Sequence, residues 1–205
     1  SSAGSDTIPH GLGSAPDLII IKQFSSGDTF DWSVGHSSTN LQASSGFLKL
    51  NSNGALDSSW DDFGASPDAN VFTTQYSGRV NASGREYVAY CWKAVSGVSA
   101  FGTYTGGTSI SETTNFEPKL IIIKNITNSE HWIMLDAFRG FKSSSLANPP
   151  ALFPSAPDGE VLGSSGNYYH ITTNSTGFTI GDSSNVVNGL NDGSSSTKYI
   201  YMAFA

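Results

Sequence analysis

The residues of this chain with the chemistry to hold a metal or attack a substrate are four histidines, one cysteine and a knot of aspartates. His10, His36, His131 and His170 stand far apart, and no two of them share the short spacing that places two imidazoles on one strand face or helical turn. They read as isolated structural or surface residues. Cys91 is the single cysteine, so neither an internal disulfide nor a thiolate zinc site can form. It lies in the apolar run Tyr87-Val88-Ala89-Tyr90-Cys91-Trp92, where a thiol is expected as a small buried hydrophobe. Asp57, Asp61 and Asp62 surround Trp60, with Asp68 close behind. Calcium binds loops of carboxylates and carbonyls, but the alternating aspartate register that ends in glycine is missing. The cluster therefore reads as a solvated acidic loop. Asp17, Asp28 and Asp31 carry no stronger signal.

No pattern for covalent or phosphate chemistry is present. The Gly-x-Ser-x-Gly nucleophile elbow and both glycine-rich phosphate-binding patterns are missing from the sequence. The expectation is a non-enzymatic chain with no catalytic residue, no cofactor and no metal. What remains is aromatic. Trp60, Tyr76, Tyr168 and Tyr169 lie beside polar loops, and exposed rings there would stack on sugar faces. These four are the candidate ligand or receptor surface. Asn81, Asn125 and Asn174 begin glycosylation sequons, which a chain this rich in Asn, Ser and Thr acquires by composition.

Composition narrows the partners. The net charge is −7, with only ten Lys and Arg in 205 residues and no basic cluster. A nucleic-acid groove needs cations along it, so nucleic acid is excluded as a partner, and anionic membrane surfaces are disfavoured for the same reason. The longest apolar runs, Leu18 to Ile21 and Leu120 to Ile123, are too short to insert in a bilayer as a helix. Charged residues are only 13% of the chain, while aromatics reach 12% and sit in dense apolar runs, which is the pattern of a folded chain. Residues 1–7 read as the ragged end of a longer or processed chain.

The elements that must position these residues come in two copies. Pro16-Asp17-Leu18-Ile19-Ile20-Ile21-Lys22 returns 102 residues later as Pro118-Lys119-Leu120-Ile121-Ile122-Ile123-Lys124. Phe30 to Val34 is matched by Glu130 to Met134, each with a central Trp. Val71-Phe72-Thr73 answers Gly177-Phe178-Thr179. Each half closes on a Tyr-rich run, Tyr87 to Trp92 and Tyr199 to Phe204. Gly, Asn, Ser and Pro punctuate the chain, and no window carries the stripe of an amphipathic helix. The turns include Ser83-Gly84 and Asn191-Asp192-Gly193, in the second of which Asp-Gly suits a position that needs positive φ. The proline-rich stretch 148–159 reads as a long surface loop.

The fold expected is an all-β, antiparallel β-sandwich, jelly-roll-like, built from two repeated sequence units. An N-terminal arm covers 1–15, the first unit 16–105, a connecting loop 106–117 and the second unit 118–205, the two units forming one body.

The segments Ile8 to Gly13, Ala15 to Lys22, Val80 to Gly84 with Tyr87 to Trp92, and Tyr199 to Ala205 resemble a duplicated β-rich domain family of virion and tail-fibre-like proteins in tailed, often marine, bacteriophages. The resemblance spans nearly the whole chain. It implies a virion structural protein, extracellular on the particle, in a tail fibre or on the capsid surface, serving assembly and host attachment. It further implies a homo-oligomer, other virion proteins as partners, and host-surface glycan as a ligand. The alternative expectation is a carbohydrate-binding module of a secreted or surface protein. The second half departs from the Asn81-Ala82-Ser83-Gly84 turn, carrying Asn191-Asp192-Gly193 and a serine run instead.

Overall fold

The computed structural model describes residues 4–25, 30–39, 41–42, 45–140, 149–162, 169–181 and 189–205. Among them there is no α-helix. The strands are β1 (Asp6–Pro9), β2 (Leu18–Gln23), β3 (Ser33–His36), β4 (Leu48–Lys49), β5 (Val71–Thr74), β6 (Tyr87–Trp92), β7 (Ser99–Thr105), β8 (Ile110–Thr113), β9 (Leu120–Asn125), β10 (Ile133–Asp136), β11 (Ile171–Asn174), β12 (Gly177–Ile180) and β13 (Lys198–Phe204). Their pairings are antiparallel throughout. The all-β expectation holds.

The chain divides into two compact units. Unit 1 is Ser1–Ser52 with Leu56–Ala94, and unit 2 is Asn53–Ala55 with Val95–Ala205. Each has a four-stranded sheet and a smaller one, with apolar side chains of both meeting in a core, which is a sandwich-like arrangement. In unit 1 the order is β4-β3-β2-β6, with β1-β5 as the second sheet. In unit 2 it is β10-β9-β13-β7, with β11-β12-β8 as the second. Residues 99–105 and 110–113, expected in the first unit and in a connecting loop, thus supply strands to unit 2. The allegiance of β7 follows from its pairing along the whole length of β13.

The strand register reproduces the sequence repeat. The isoleucine runs form the strands β2 and β9, whose alternating side chains Ile19, Ile21, Ile121 and Ile123 enter the two cores. Ile21 pairs with Ala89 where Ile123 pairs with Tyr201, and Gln23 pairs with Tyr87 where Asn125 pairs with Tyr199. In the smaller sheets Ile8 pairs with Phe72 where Glu112 pairs with Phe178. The bridge Phe47 to Asp57 has its counterpart in Ala151 to Val161. That last pair corrects one expectation: the stretch 148–159 is not all surface loop, because Ala151 is fully buried and Leu152 bridges Met134. Pro149 and Pro150 lie just ahead of this pairing, where no ladder donor is required of them.

The two lysines that end the isoleucine runs also correspond. Lys22 Nζ donates to Phe30 O at 2.6 Å, and Lys124 Nζ to Glu130 O at 2.7 Å and Asn53 O at 3.1 Å. Lys124 has no solvent exposure, and burial lowers its ammonium from the ordinary lysine value to about 8, against a smaller opposing pull from Glu130. The unfolded chain then holds a proton that the folded chain has lost between about pH 8 and pH 10. Stability of unit 2 is expected to rise across that window, by on the order of 2 kcal/mol. Above about pH 10 the sign reverses: Tyr104, Tyr199 and Tyr201 are raised by burial, so the unfolded chain releases phenolic protons that the fold retains. Urea melts from pH 7.5 to 11 should show this maximum, and Lys124→Met should remove its rising limb only.

Candidate functional site

A cavity of about 620 Å³ opens in unit 1 between the two sheets. The apolar part of its wall is set by strand alternation, the rest being polar. Ile21 comes from β2, Ile8 from β1 and Phe72 from β5, while Tyr87, Ala89 and Cys91 are successive inward residues of β6. The volume has a plain local cause. Ala89 stands where unit 2 has Tyr201, whose ring packs edge-on against Phe178 at 5.1 Å and is buried.

The rim is the turn from Asn81 to Arg85, which its own side chains hold. Gly84 has φ +74°, the conformation glycine adopts without cost, and Gly193 in the other unit has φ +78°. Tyr87 Oη accepts from Ala82 N at 2.9 Å and donates to Gly78 O at 3.0 Å. Asn81 Nδ2 donates to Gly4 O at 2.9 Å, fixing the chain on its way into β1. Arg85 donates to Gln23 Oε1 at 3.3 Å and lies over the Phe30 ring. At the other end His10 Nδ1 accepts from Leu12 N at 3.2 Å, which leaves Nε2–H to donate to Asp68 O at 3.1 Å.

Burial pushes the Cys91 thiol up, so at neutral pH it is not a thiolate nucleophile. The structure also revises its expected burial, since Cys91 is only partly covered and lines the cavity. His10 is engaged at both ring nitrogens. Among the described residues no three His, Cys, Asp or Glu side chains converge as a metal site would require.

The aspartate cluster is the solvated loop expected only in part: Asp68 is exposed, but Asp62 is not. Asp62 is fully buried and takes Arg79 on both carboxylate oxygens (Nε to Oδ2 2.9 Å, Nη2 to Oδ1 2.9 Å), together with Ser33 Oγ at 2.6 Å and Ser77 Oγ at 2.8 Å. Asp61 accepts from Gly46 N at 3.0 Å. Asp68 accepts from Asn70 N and Val71 N, and these bonds hold its carboxyl below the usual range. Bonds from Ser59 do the same for Asp57. These carboxylates organise loops.

The four aromatic candidates separate. Trp60 is 69% exposed and Tyr76 54%, both in unit 1, and neither lines the cavity. Tyr169 is a correction: it is 5% exposed, part of the unit 2 core, and meets Phe153 edge-on at 6.2 Å. Tyr168 lies outside the described residues. The cavity residues Asn81, Arg85, Tyr87 and Ala89 were not among the candidates. Their one sequence signal is the mismatch of Ala89 with Tyr201 once the closing runs of the two halves are aligned.

A family model described as a domain of unknown function (DUF7483) matches residues 1–205. No curated protein and no solved structure matches.

Proposed function

We propose a role that starts from one fact: the chain belongs to the DUF7483 domain family. It is a non-enzymatic structural domain of a tailed-phage virion, placed in a tail fibre or on the capsid surface, for assembly and host attachment. The observation that carries this reading is the duplicated sandwich whose first copy keeps an open cavity with a hydrogen-bonding rim. That is the form of a building and binding module. The resemblance of the Ile8 to Lys22 and Tyr199 to Ala205 segments to virion proteins supports the setting. The internal engagement of Asp57, Asp61, Asp62 and Asp68 supports the absence of acid–base catalysis. Multiple copies on a particle would add weak contacts into firm attachment. The test is mass spectrometry of density-purified particles from a phage that encodes the chain. Stoichiometric recovery in intact particles is expected, and recovery only from the soluble lysate would refute the reading.

The alternative, a carbohydrate-binding module, has its own observation in the exposure of Trp60 and Tyr76. Stacking of a ring on a sugar face is lost with the ring. Trp60→Ala is therefore expected to weaken binding to a responding glycan at least about tenfold while changing stability by less than about 0.5 kcal/mol. Glycan-array and urea-melt measurements on the same variant check both halves of that expectation.

A further inference from the structure

We propose that the unit 1 cavity binds a small phenolic compound, whose aromatic ring takes the space left by Ala89 and whose hydroxyl bonds to Thr74. The inference goes beyond the virion reading and does not depend on it.

The first observation is an orphaned hydroxyl. Thr74 Oγ1 is buried and makes no hydrogen bond. Thr74 lines the cavity, on the same face of β5 as the core residue Phe72. A hydroxyl shut away from water without a partner weakens the fold, and it calls for a partner that the chain does not supply.

The fold does not require this hydroxyl. Strand register sets Asp6 opposite Thr74, two places along from the pair Ile8 and Phe72. Unit 2 has Ile110 opposite Ile180, two places along from Glu112 and Phe178, and both isoleucines are buried in its core. Residues opposite one another in an antiparallel pair share a face. Unit 1 thus carries a carboxylate and a hydroxyl on the inner face of its smaller sheet where unit 2 carries two apolar side chains.

Two rings are missing from the same space. Ala89 stands where the buried Tyr201 packs against Phe178 in unit 2. Tyr104 of β7 stacks on Tyr199 with centroids 4.8 Å apart, whereas among the described strands β6 pairs with β2 alone and receives no such ring. Space left by a missing side chain takes up aromatic molecules when its wall is apolar. At about 620 Å³ the cavity lies in the usual range of small-molecule sites, with room for one or two fused rings.

The placing of the polar groups selects the class of ligand. Inside, the side chains of Ile21, Phe72, Val80 and Ala89 offer no hydrogen bond, and Tyr87 Oη is engaged with Ala82 and Gly78. Thr74 offers one. Asp6 and Ser83 are exposed at the mouth, with Arg85 beside them in the turn. A sugar would bury hydroxyls that the inner wall cannot partner, and an ammonium group would lose its water near the Arg85 charge. A ring with a single hydroxyl matches both parts of the wall. The ring lies among the apolar side chains, and the hydroxyl accepts from Thr74 Oγ1 and donates toward the Asp6 carboxylate opposite.

The test uses the full chain with 2-naphthol, and naphthalene as the same rings without the hydroxyl. Ligand fluorescence reads binding, and alkylation of Cys91, the one thiol and a cavity residue, reads the location. Saturable binding with a Kd at or below about 1 mM is expected, together with alkylation slowed at least about tenfold at saturation. 2-Naphthol should bind at least about tenfold more tightly than naphthalene. Thr74→Val keeps the shape of the side chain and removes its hydroxyl, so it should erase that preference without lowering the urea midpoint. Any of four results would overturn the inference: no binding at millimolar 2-naphthol, unchanged Cys91 alkylation, a preference that survives Thr74→Val, or a lowered midpoint in that variant, which would show the hydroxyl already partnered. Protection of Cys91 by a monosaccharide and not by 2-naphthol would also overturn it, and would give the cavity to a glycan.

Discussion

Replacing Asp62 by alanine is expected to cost about 3–5 kcal/mol of stability, the usual penalty for breaking a buried ion pair by removing one partner. The reason is the company it keeps. Four hydrogen-bonding groups, two from Arg79 and one each from Ser33 and Ser77, converge on a carboxylate with no solvent exposure. Without it the Arg79 guanidinium is left beside the Phe47 ring, 3.7 Å from its centroid, with its anion gone. Asp62→Asn keeps the shape but not the charge, and an intermediate loss is expected. A change below about 1 kcal/mol for Asp62→Ala in urea melts would show that water replaces the carboxylate.

Tyr104→Ala carries the second large effect, about 3–5 kcal/mol, because it empties a ring-sized space in a close-packed core. Tyr104 is buried between the sheets of unit 2, stacked on Tyr199, and its hydroxyl saturates the Leu190 carbonyl. Tyr104→Phe separates the two contributions. It keeps the ring and loses one buried hydrogen bond, at about 1–3 kcal/mol with the carbonyl left unsatisfied. Equal losses in the two variants would mean that the hydroxyl, and not the packed ring, holds β7 in place.

Much of the fold was legible in the chain because strands repeat with period two and turns need particular residues. The isoleucine runs at Leu18 and Leu120 marked equivalent strands, and the order of matched elements followed the observed pairing. Gly84 and Gly193 marked turns, and the positive φ expected at Asp192-Gly193 is found at both. Less could be read where meaning depends on a distant partner. Asp62 looks like a loop carboxylate until Arg79, Ser33 and Ser77 come together around it. Tyr169 lies beside polar residues in sequence and in the core in space, because Ile171 and Phe153 carry it inward. Exposed Trp60 and Tyr76 were read from their polar neighbours, which do report on solvent. The cavity was hidden for a different reason. It is a difference between the two copies, visible only once β7 is assigned to unit 2 and Ala89 is set against Tyr201.

That difference is the centre of the account, and amide hydrogen exchange on the chain alone measures it most directly. The Tyr199, Tyr201 and Ala203 amides, bonded to β7, are predicted to exchange at least about a hundredfold more slowly than those of Tyr87, Ala89 and Cys91. Equal protection of the two sets would mean that the β6 edge is already paired, and would contradict the reading of unit 1 as the copy left open.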